Sequence, residues 1–389
     1  MVSQEALLNT QLGINSKNMN SRNLLIFSYD YPPSNGGIAR LCQEIAVGMK
    51  PYYRSITVLT RKKIGVSKPY NYDKVKIVEL PSKRLFCEIA AWWYLLNIRD
   101  KGNIDILCGV WHPEATLCLM AGLKKINVLT HGTELLSGGS KFRRSFWLPK
   151  YGKRILGKVR KVISNSNYTK DLTLKVNPKA NVIALPLGVN KDFFKPLHIA
   201  KDNSKLKLCT VSRVLQFKGH DFIAQTIAGL PEDIKSIIEW NVAGTGPYLN
   251  DLKALVEDLK IEDQVSFKGF VPDEQLPVFY NQNDVFILCT RESLDSTQVE
   301  GFGLVFLEAQ SCGLPAIGTS TGGIPDALKH NNGGWLIEQD NKKELSDLLI
   351  QLVKEPYLIK EQSEKARKRV LNDANWDVYC KELQKILSE

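Results

Sequence analysis

The chain reads as an α/β protein built from two Rossmann-like, doubly wound domains that face each other across a cleft. Its 389 residues exceed one ordinary core and suit two domains of roughly 200 residues or fewer. Short β-branched apolar runs alternate with longer amphipathic stretches along the chain, the pattern of parallel strands covered by helices on both faces. The pattern breaks once, at Leu185-Pro186-Leu187-Gly188-Val189-Asn190. Residues 1–187 are therefore expected to form the first domain and 188–374 the second.

The first half offers strands at Asn23–Ser28, Ile56–Thr60, Ile104–Val110, Asn127–His131, Lys161–Ser164 and Asn181–Leu185. After the break and the lysine-rich stretch Lys201–Lys207 come Leu206–Ser212, Ile237–Ala243, Val265–Lys268, Asp284–Cys289, Pro315–Gly318 and Trp335–Ile337. In such folds ligands bind beyond the carboxyl ends of the strands, so loops that directly follow strands are where chemistry is expected.

Composition narrows the class. At 43% hydrophobic and 24% charged the chain is a soluble globular type. The start lacks a basic stretch followed by an apolar core, so no secretory leader is expected, and the polar residues 1–21 read as a lead-in. The longest apolar run, Leu85 to Ile98, has 14 residues and contains Glu88. A membrane span needs about 18. Eight cysteines are scattered without a C-x-x-C pair, which suits small buried hydrophobes in a reducing cytoplasm.

The net charge of +11 is uneven: residues 1–187 hold 29 Lys and Arg against 11 Asp and Glu, the remainder 23 against 30. Either the first half faces an anionic partner or its surface charge has drifted freely.

The densest functional signal is SLDSTQVEGFGLVFLEAQSCGLP, Ser293 to Pro315. It follows a strand through a polar loop. Gly301 and Gly303 allow close backbone approach, and Leu304–Cys312 has helical composition ended by Gly313 and Pro315. A helix amino terminus after a strand suits a phosphate. Glu300 stands just before that helix and Glu308 more than one turn inside it. Alone, Glu300 also reads as a cap or dipole partner. Arg213 and Lys218 follow Leu206–Ser212 at a carboxyl-end loop, where two fixed cations could neutralise a diphosphate as it leaves, or form a solvated basic loop. Gly36 and Gly37 follow a Pro-Pro turn, open a helix over Ile38–Met49, and can present bare backbone to a phosphate. His131 ends a strand and is followed by Gly132, a position equally open to a structural histidine.

Taken together these segments resemble the retaining GT-B glycosyltransferases of family 4. Besides the E-x7-E segment, the matches are Tyr31-Pro32-Pro33-Ser34-Asn35-Gly36-Gly37, Thr130-His131-Gly132-Thr133-Glu134, Ser212-Arg213-Val214-Leu215-Gln216-Phe217-Lys218-Gly219, Ala243-Gly244-Thr245-Gly246-Pro247, Gly269-Phe270-Val271 and Thr321-Gly322-Gly323-Ile324-Pro325-Asp326. They run in the family's order from residue 24 onward.

The resemblance implies transfer of a sugar, with retained configuration, from a nucleotide-diphosphate sugar (GDP-mannose or a UDP-sugar) to a lipid-linked or glycan acceptor. The setting it implies is cell-surface polysaccharide or glycolipid synthesis. The catalytic set would be Glu300, which holds sugar hydroxyls, His131 near the reaction centre, and the diphosphate clamp of Arg213 and Lys218. Donor binding would fall to Gly36, Gly37, the backbone of Phe302, Gly303 and Leu304, Val271 beside the base, and Glu308 on the ribose. The last helix, 375–389, would cross back to the first domain.

No D-x-D pair or metal-spaced cluster occurs, so neither metal nor cofactor is expected. The rivals are a catalytically silent scaffold or partner-binding homologue, and an epimerase of the same fold.

Two segments mix aromatic and basic residues: Lys83-Arg84 with Phe86, Trp92, Trp93 and Tyr94, and Lys141–Arg154 with Phe142, Phe146, Trp147 and Tyr151. They suit peripheral contact with an anionic membrane, at the inner face of the cytoplasmic membrane. Alternatively, Trp92 and Trp93 are core residues of a helix. No motif supports nucleic acid as the partner.

Overall fold

The computed structural model describes residues 22–34, 36–63, 74–200, 204–292 and 298–389. The lead-in at 1–21, Asn35, residues 64–73, Lys201–Asn203 and Ser293–Thr297 lie outside the described residues.

Two wholly parallel sheets form. The first contains β1 (Asn23–Phe27), β2 (Ser55–Arg61), β3 (Val75–Leu80), β4 (Ile104–Cys108), β5 (Ile126–Thr130), β6 (Lys161–Ser164) and β7 (Val182–Ala184), in the order β3-β2-β1-β4-β5-β6-β7. The second contains β8 (Leu206–Val211), β9 (Ile238–Ala243), β10 (Val265–Gly269), β11 (Val285–Leu288), β12 (Ala316–Thr319) and β13 (Gly334–Ile337), in the order β10-β9-β8-β11-β12-β13. Each order reverses beside its first strand, and the crevice at such a switch point is where ligands bind.

The central strands are continuous apolar runs because helices cover both their faces. Leu24, Leu25, Ile26 and Phe27 are all buried, as are Val285 through Leu288. β3 has no counterpart among the expected strands. Lys76 and Glu79 interrupt its apolar run, and an edge strand tolerates this because part of it meets water.

The helices that shape the site are α1 (Gly37–Gly48), α2 (Arg84–Leu96), α3 (Asn167–Val176), α4 (His220–Ala228), α5 (Leu304–Ser311) and α6 (Trp376–Ser388). α1 buries Ala39, Leu41, Cys42, Ile45 and Ala46. α6 packs against that helix with Tyr379, Cys380 and Leu383, so the end of the chain returns to the first sheet. Its start is capped by Asn375, whose side chain accepts from Val378 N at 3.1 Å, and its end by Arg160, which donates to Leu387 O at 2.7 Å. One hydrophobic core runs from Leu24 through Val189 to Leu307, continuous beneath both sheets.

α2 is unusual in what it leaves outside. Cys87, Ala91 and Leu95 are buried, while Leu85, Phe86, Ile89, Trp92, Trp93 and Leu96 form an exposed apolar stripe at helical spacing. Trp93 is 67% exposed and Phe86 58%, so the alternative of two core tryptophans does not hold. Trp147 and Tyr151 behave differently: both pack on buried Trp111, at 5.6 and 5.9 Å between ring centres. Among the described residues no helix is long and apolar enough to cross a membrane.

His220 opens α4 under β8, its ring 6.2 Å from Trp240 and its Nε2 3.1 Å from Ser212 Oγ. Burial first, and the neighbouring Lys218 second, push this imidazole down to about 4 from the ordinary 6.5. The folded protein keeps it neutral, whereas the unfolded chain takes up a proton below about 6.5, so stability falls as pH drops through that window. Between pH 7 and pH 5 the wild type should lose about 2 kcal/mol more than His220→Gln in equilibrium denaturation. Equal losses in the two proteins would show that His220 is not buried as a neutral base.

Candidate active site

Loops from the carboxyl ends of both sheets meet across a cleft of about 730 Å³, lined by Gly36, Gly37, Arg40, Arg213, Val271, Leu304 and Glu308 among others. β1 delivers the glycine loop, β8 delivers Arg213, and β10 delivers Phe270 to Glu274. Arg213 is exposed on this wall. The start of α5 points its unbonded backbone N–H groups at the same space, with Leu304 and Val305 on the lining. Phe302 is buried, and neither it nor Gly303 lines the cleft.

Lys218 lies on a single turn, Gln216–Lys218, that leaves β8. Gly219 ends the turn with φ +73°, and a Cβ at that position would stand 1.8 Å from Cys289 O. Only glycine allows the turn to press against the exit of β11, where Arg291 N also donates to Phe217 O at 2.7 Å. Placed so, Lys218 Nζ reaches Glu300 Oε2 at 2.5 Å, the two side chains being 13% and 16% exposed.

The glycine segment after Glu300 is gripped by the first domain. A Cβ on Gly301 would lie 1.9 Å from His131 O, so the two backbones touch. Ser166 Oγ, at the N-cap of α3, donates to Gly301 O at 2.7 Å. Asn167 donates from both its backbone and its side-chain nitrogen to Asp326, each at 2.7 Å. His131 itself is fixed twice: its backbone N donates to Glu134 Oε1 at 2.6 Å, and its Nε2 lies 2.7 Å from Gly109 O. A carbonyl only accepts, so Nε2 is the donor in this bond.

Glu308 is 4% exposed at the floor of the cleft. Arg40 Nη1 donates to its Oε1 at 2.8 Å, and the Tyr280 hydroxyl donates to its Oε2 at 3.0 Å. Burial raises this carboxyl above the usual range, opposed by Arg40 and Tyr280. Arg40 Nη2 also meets Asp273 at 2.5 Å.

Comparison with known proteins accords with this geometry. Residues 192–369 match the family described as Glycosyl transferases group 1. The chain is similar to the GDP-mannose-dependent alpha-(1-6)-phosphatidylinositol monomannoside mannosyltransferase of Mycolicibacterium smegmatis, 26% identical over 94% of this chain and 98% of that protein. In fold it is similar to sucrose-phosphate synthase from Thermosynechococcus elongatus, with TM-score 0.73 and 17% identity over 94% of this chain and 98% of the other. It also resembles Anabaena HepE in complex with UDP-glucose, with TM-score 0.69 and 14% identity over 94% and 99%.

Residues 192–369 belong to the group 1 glycosyltransferases, and the fold of the whole chain is that of the GT-B glycosyltransferases.

Within the transferase, the residues expected from the sequence do not all stand together. Gly36, Gly37, Arg213, Val271, Leu304 and Glu308 share the cleft, whereas Lys218 and Glu300 pair with each other, and His131 meets the glycine segment. Arg40, Tyr280, Ser166, Asn167 and Asp273 escaped the sequence reading as site residues. Tyr280 sits in an apolar helix and looks like core. Arg40, three residues after Gly37, carries only the faint signal of a cation on the first turn of a helix that opens at a glycine loop.

The Gly301 contact can be tested directly. In Gly301→Ala the new methyl would occupy the position of the His131 carbonyl, so the domains could not meet. Because misplacement by about 1 Å can cost about 100-fold in rate, turnover should fall on that scale while each domain keeps its melting behaviour. Normal turnover in that variant would contradict the contact.

Proposed function

We propose that the protein is a retaining, metal-independent hexosyltransferase of family 4 that moves a sugar from a nucleoside-diphosphate sugar to a lipid-linked or glycan acceptor. The observation that carries the reading is the ion pair of Lys218 with Glu300 beside the glycine segment that leads into α5. A hexose held by Glu300 through its hydroxyls would have its diphosphate against Lys218, Arg213 and the backbone of Gly36 and Gly37. As the bond from the anomeric carbon to the diphosphate oxygen breaks, these groups neutralise the developing charge. The acceptor oxygen then bonds to the anomeric carbon on the same face, and its proton passes to the departing phosphate. The clamp supplies the charge that a divalent cation would otherwise bring.

GDP-mannose is the first donor to test, since the full-length relative's name specifies it. The UDP-glucose complex of a protein with the same fold keeps UDP-sugars in the comparison. Across a panel of both, one donor should be turned over, and Lys218→Ala or Glu300→Ala should reduce the rate about 100-fold or more without unfolding. A chelator should leave the rate unchanged; total loss on chelation, or normal turnover in either variant, would overturn the assignment.

We further propose that the acceptor lies at an anionic membrane surface, with the protein at the inner face of the cytoplasmic membrane. Support comes from the exposed stripe on α2, and from exposed Phe142 and Phe146, which stack at 5.6 Å amid exposed Lys141, Arg144, Lys150, Lys153 and Arg154. The two segments share a neighbour: α2 packs on the helix Thr116–Met120, and Thr116 Oγ1 lies 2.8 Å from Tyr151 Oη. Basic residues near an anionic leaflet contribute about 1 kcal/mol each, so vesicles rich in anionic lipid should bind the protein at low salt and release it at high salt. Phe86→Ser with Trp93→Ser should abolish that binding while sparing donor hydrolysis. Wild-type protein that stays off such vesicles would remove the membrane from the account.

A further inference from the structure

Both oxygens of Glu308 have one protein partner, Arg40 on Oε1 and Tyr280 on Oε2. A carboxylate oxygen can accept twice, so one acceptor position on each remains for a ligand. Two adjacent acceptors suit two adjacent hydroxyls, such as those of a ribose. They repel a phosphate, and they present no flat surface to a base.

A carboxylate this deeply buried needs a compensating charge, and Tyr280 is neutral. The charge comes from Arg40, which belongs to the other domain and sits on α1 just after Gly36 and Gly37. Arg40, Asp273 and Glu308 line the main cleft and also a second cavity of about 430 Å³ on the hinge side, where Asn190 and Trp376 lie. Glu308 therefore borders the main cleft as well as the second cavity, with Arg40 beside it in both.

We propose that Arg40 is the positioning residue for ribose recognition: from the first domain, it balances and orients Glu308 of the second domain to accept the 2′- and 3′-hydroxyls of a nucleoside diphosphate. The inference rests on the donor-site reading above. It adds that the ribose site is complete only when the domains are closed. The domain that carries the glycine loop therefore contributes to nucleoside affinity as well as to the phosphates. Asp273, on the second nitrogen of Arg40, keeps the guanidinium in place.

The test is calorimetric binding of GDP and UDP, their 2′,3′-dideoxy analogues, and inorganic pyrophosphate to wild type, Arg40→Lys, Arg40→Gln and Glu308→Gln. Hydrogen bonds to a charged group should make the wild type prefer the ribose form of its nucleotide by about tenfold or more. Arg40→Gln should lose that preference to the level of Glu308→Gln, Arg40→Lys should retain part of it, and pyrophosphate should bind all four proteins alike. The assignment is overturned if Arg40→Gln keeps the full preference. It is also overturned if Arg40→Gln binds the ribose form more tightly than wild type, since Arg40 would then be a plug that the nucleotide displaces. A wild type that binds neither nucleotide would instead sink the donor-site reading, and with it this one.

Discussion

A lysine and a glutamate largely withdrawn from water, Lys218 and Glu300, hold each other at 2.5 Å where the two halves of the second domain's glycine machinery converge. Each side chain there meets the opposite charge of the other. An isolated ammonium or carboxylate removed from water costs several kcal/mol, and each supplies the charge that the other needs. Much of the surrounding architecture serves to bring the pair together. Gly219 lets the turn of Lys218 press on the exit of β11, and Gly323 N donates to Glu300 O at 2.8 Å from the turn after β12. Three consecutive neighbours in the sheet, β8, β11 and β12, thus fix one ion pair.

The first domain meets this assembly through backbone and small polar groups. Gly301 touches His131 O, Ser166 caps α3 and holds Gly301 O, and Asn167 clasps Asp326. These contacts form only when the sheets face each other, and they hold His131 next to the segment that carries Glu300. Arg40 adds a charged link on the other side of the cleft. Closure of such a site excludes water and strengthens every electrostatic contact within it. A preorganised group of positive charges in that setting suits a reaction whose leaving group is a diphosphate.

Much of this was legible in the sequence because its causes are local. A buried parallel strand favours a continuous apolar run, and β11 is one, as is β1 from Leu24 to Phe27. Loops that follow such strands carry the glycines, Arg213, Lys218 and Glu300, so position along the chain pointed to position in the cleft. What stayed hidden depends on distant pairing. Arg40 and Glu308 are 268 residues apart, and Asn167 and Asp326 are 159 apart. No local pattern marks an arginine that will be used by another domain. The segment of α2 was open to two readings, an exposed aromatic-basic face or a core helix. Leu85, Phe86, Trp92 and Trp93 have the composition of a core helix, and only the packing of Cys87, Ala91 and Leu95 inward turns them to the outside.

The central claim is that Lys218 and Glu300 act as one unit, and a double-mutant cycle on kcat/KM measures this most directly. With Lys218→Ala, Glu300→Gln and the double variant assayed on the donor that wild type uses, the account predicts losses well short of additive, with a coupling of about 1–3 kcal/mol. Losses that simply add would mean that the two side chains act on the substrate independently, and that their contact in the structure is incidental to turnover.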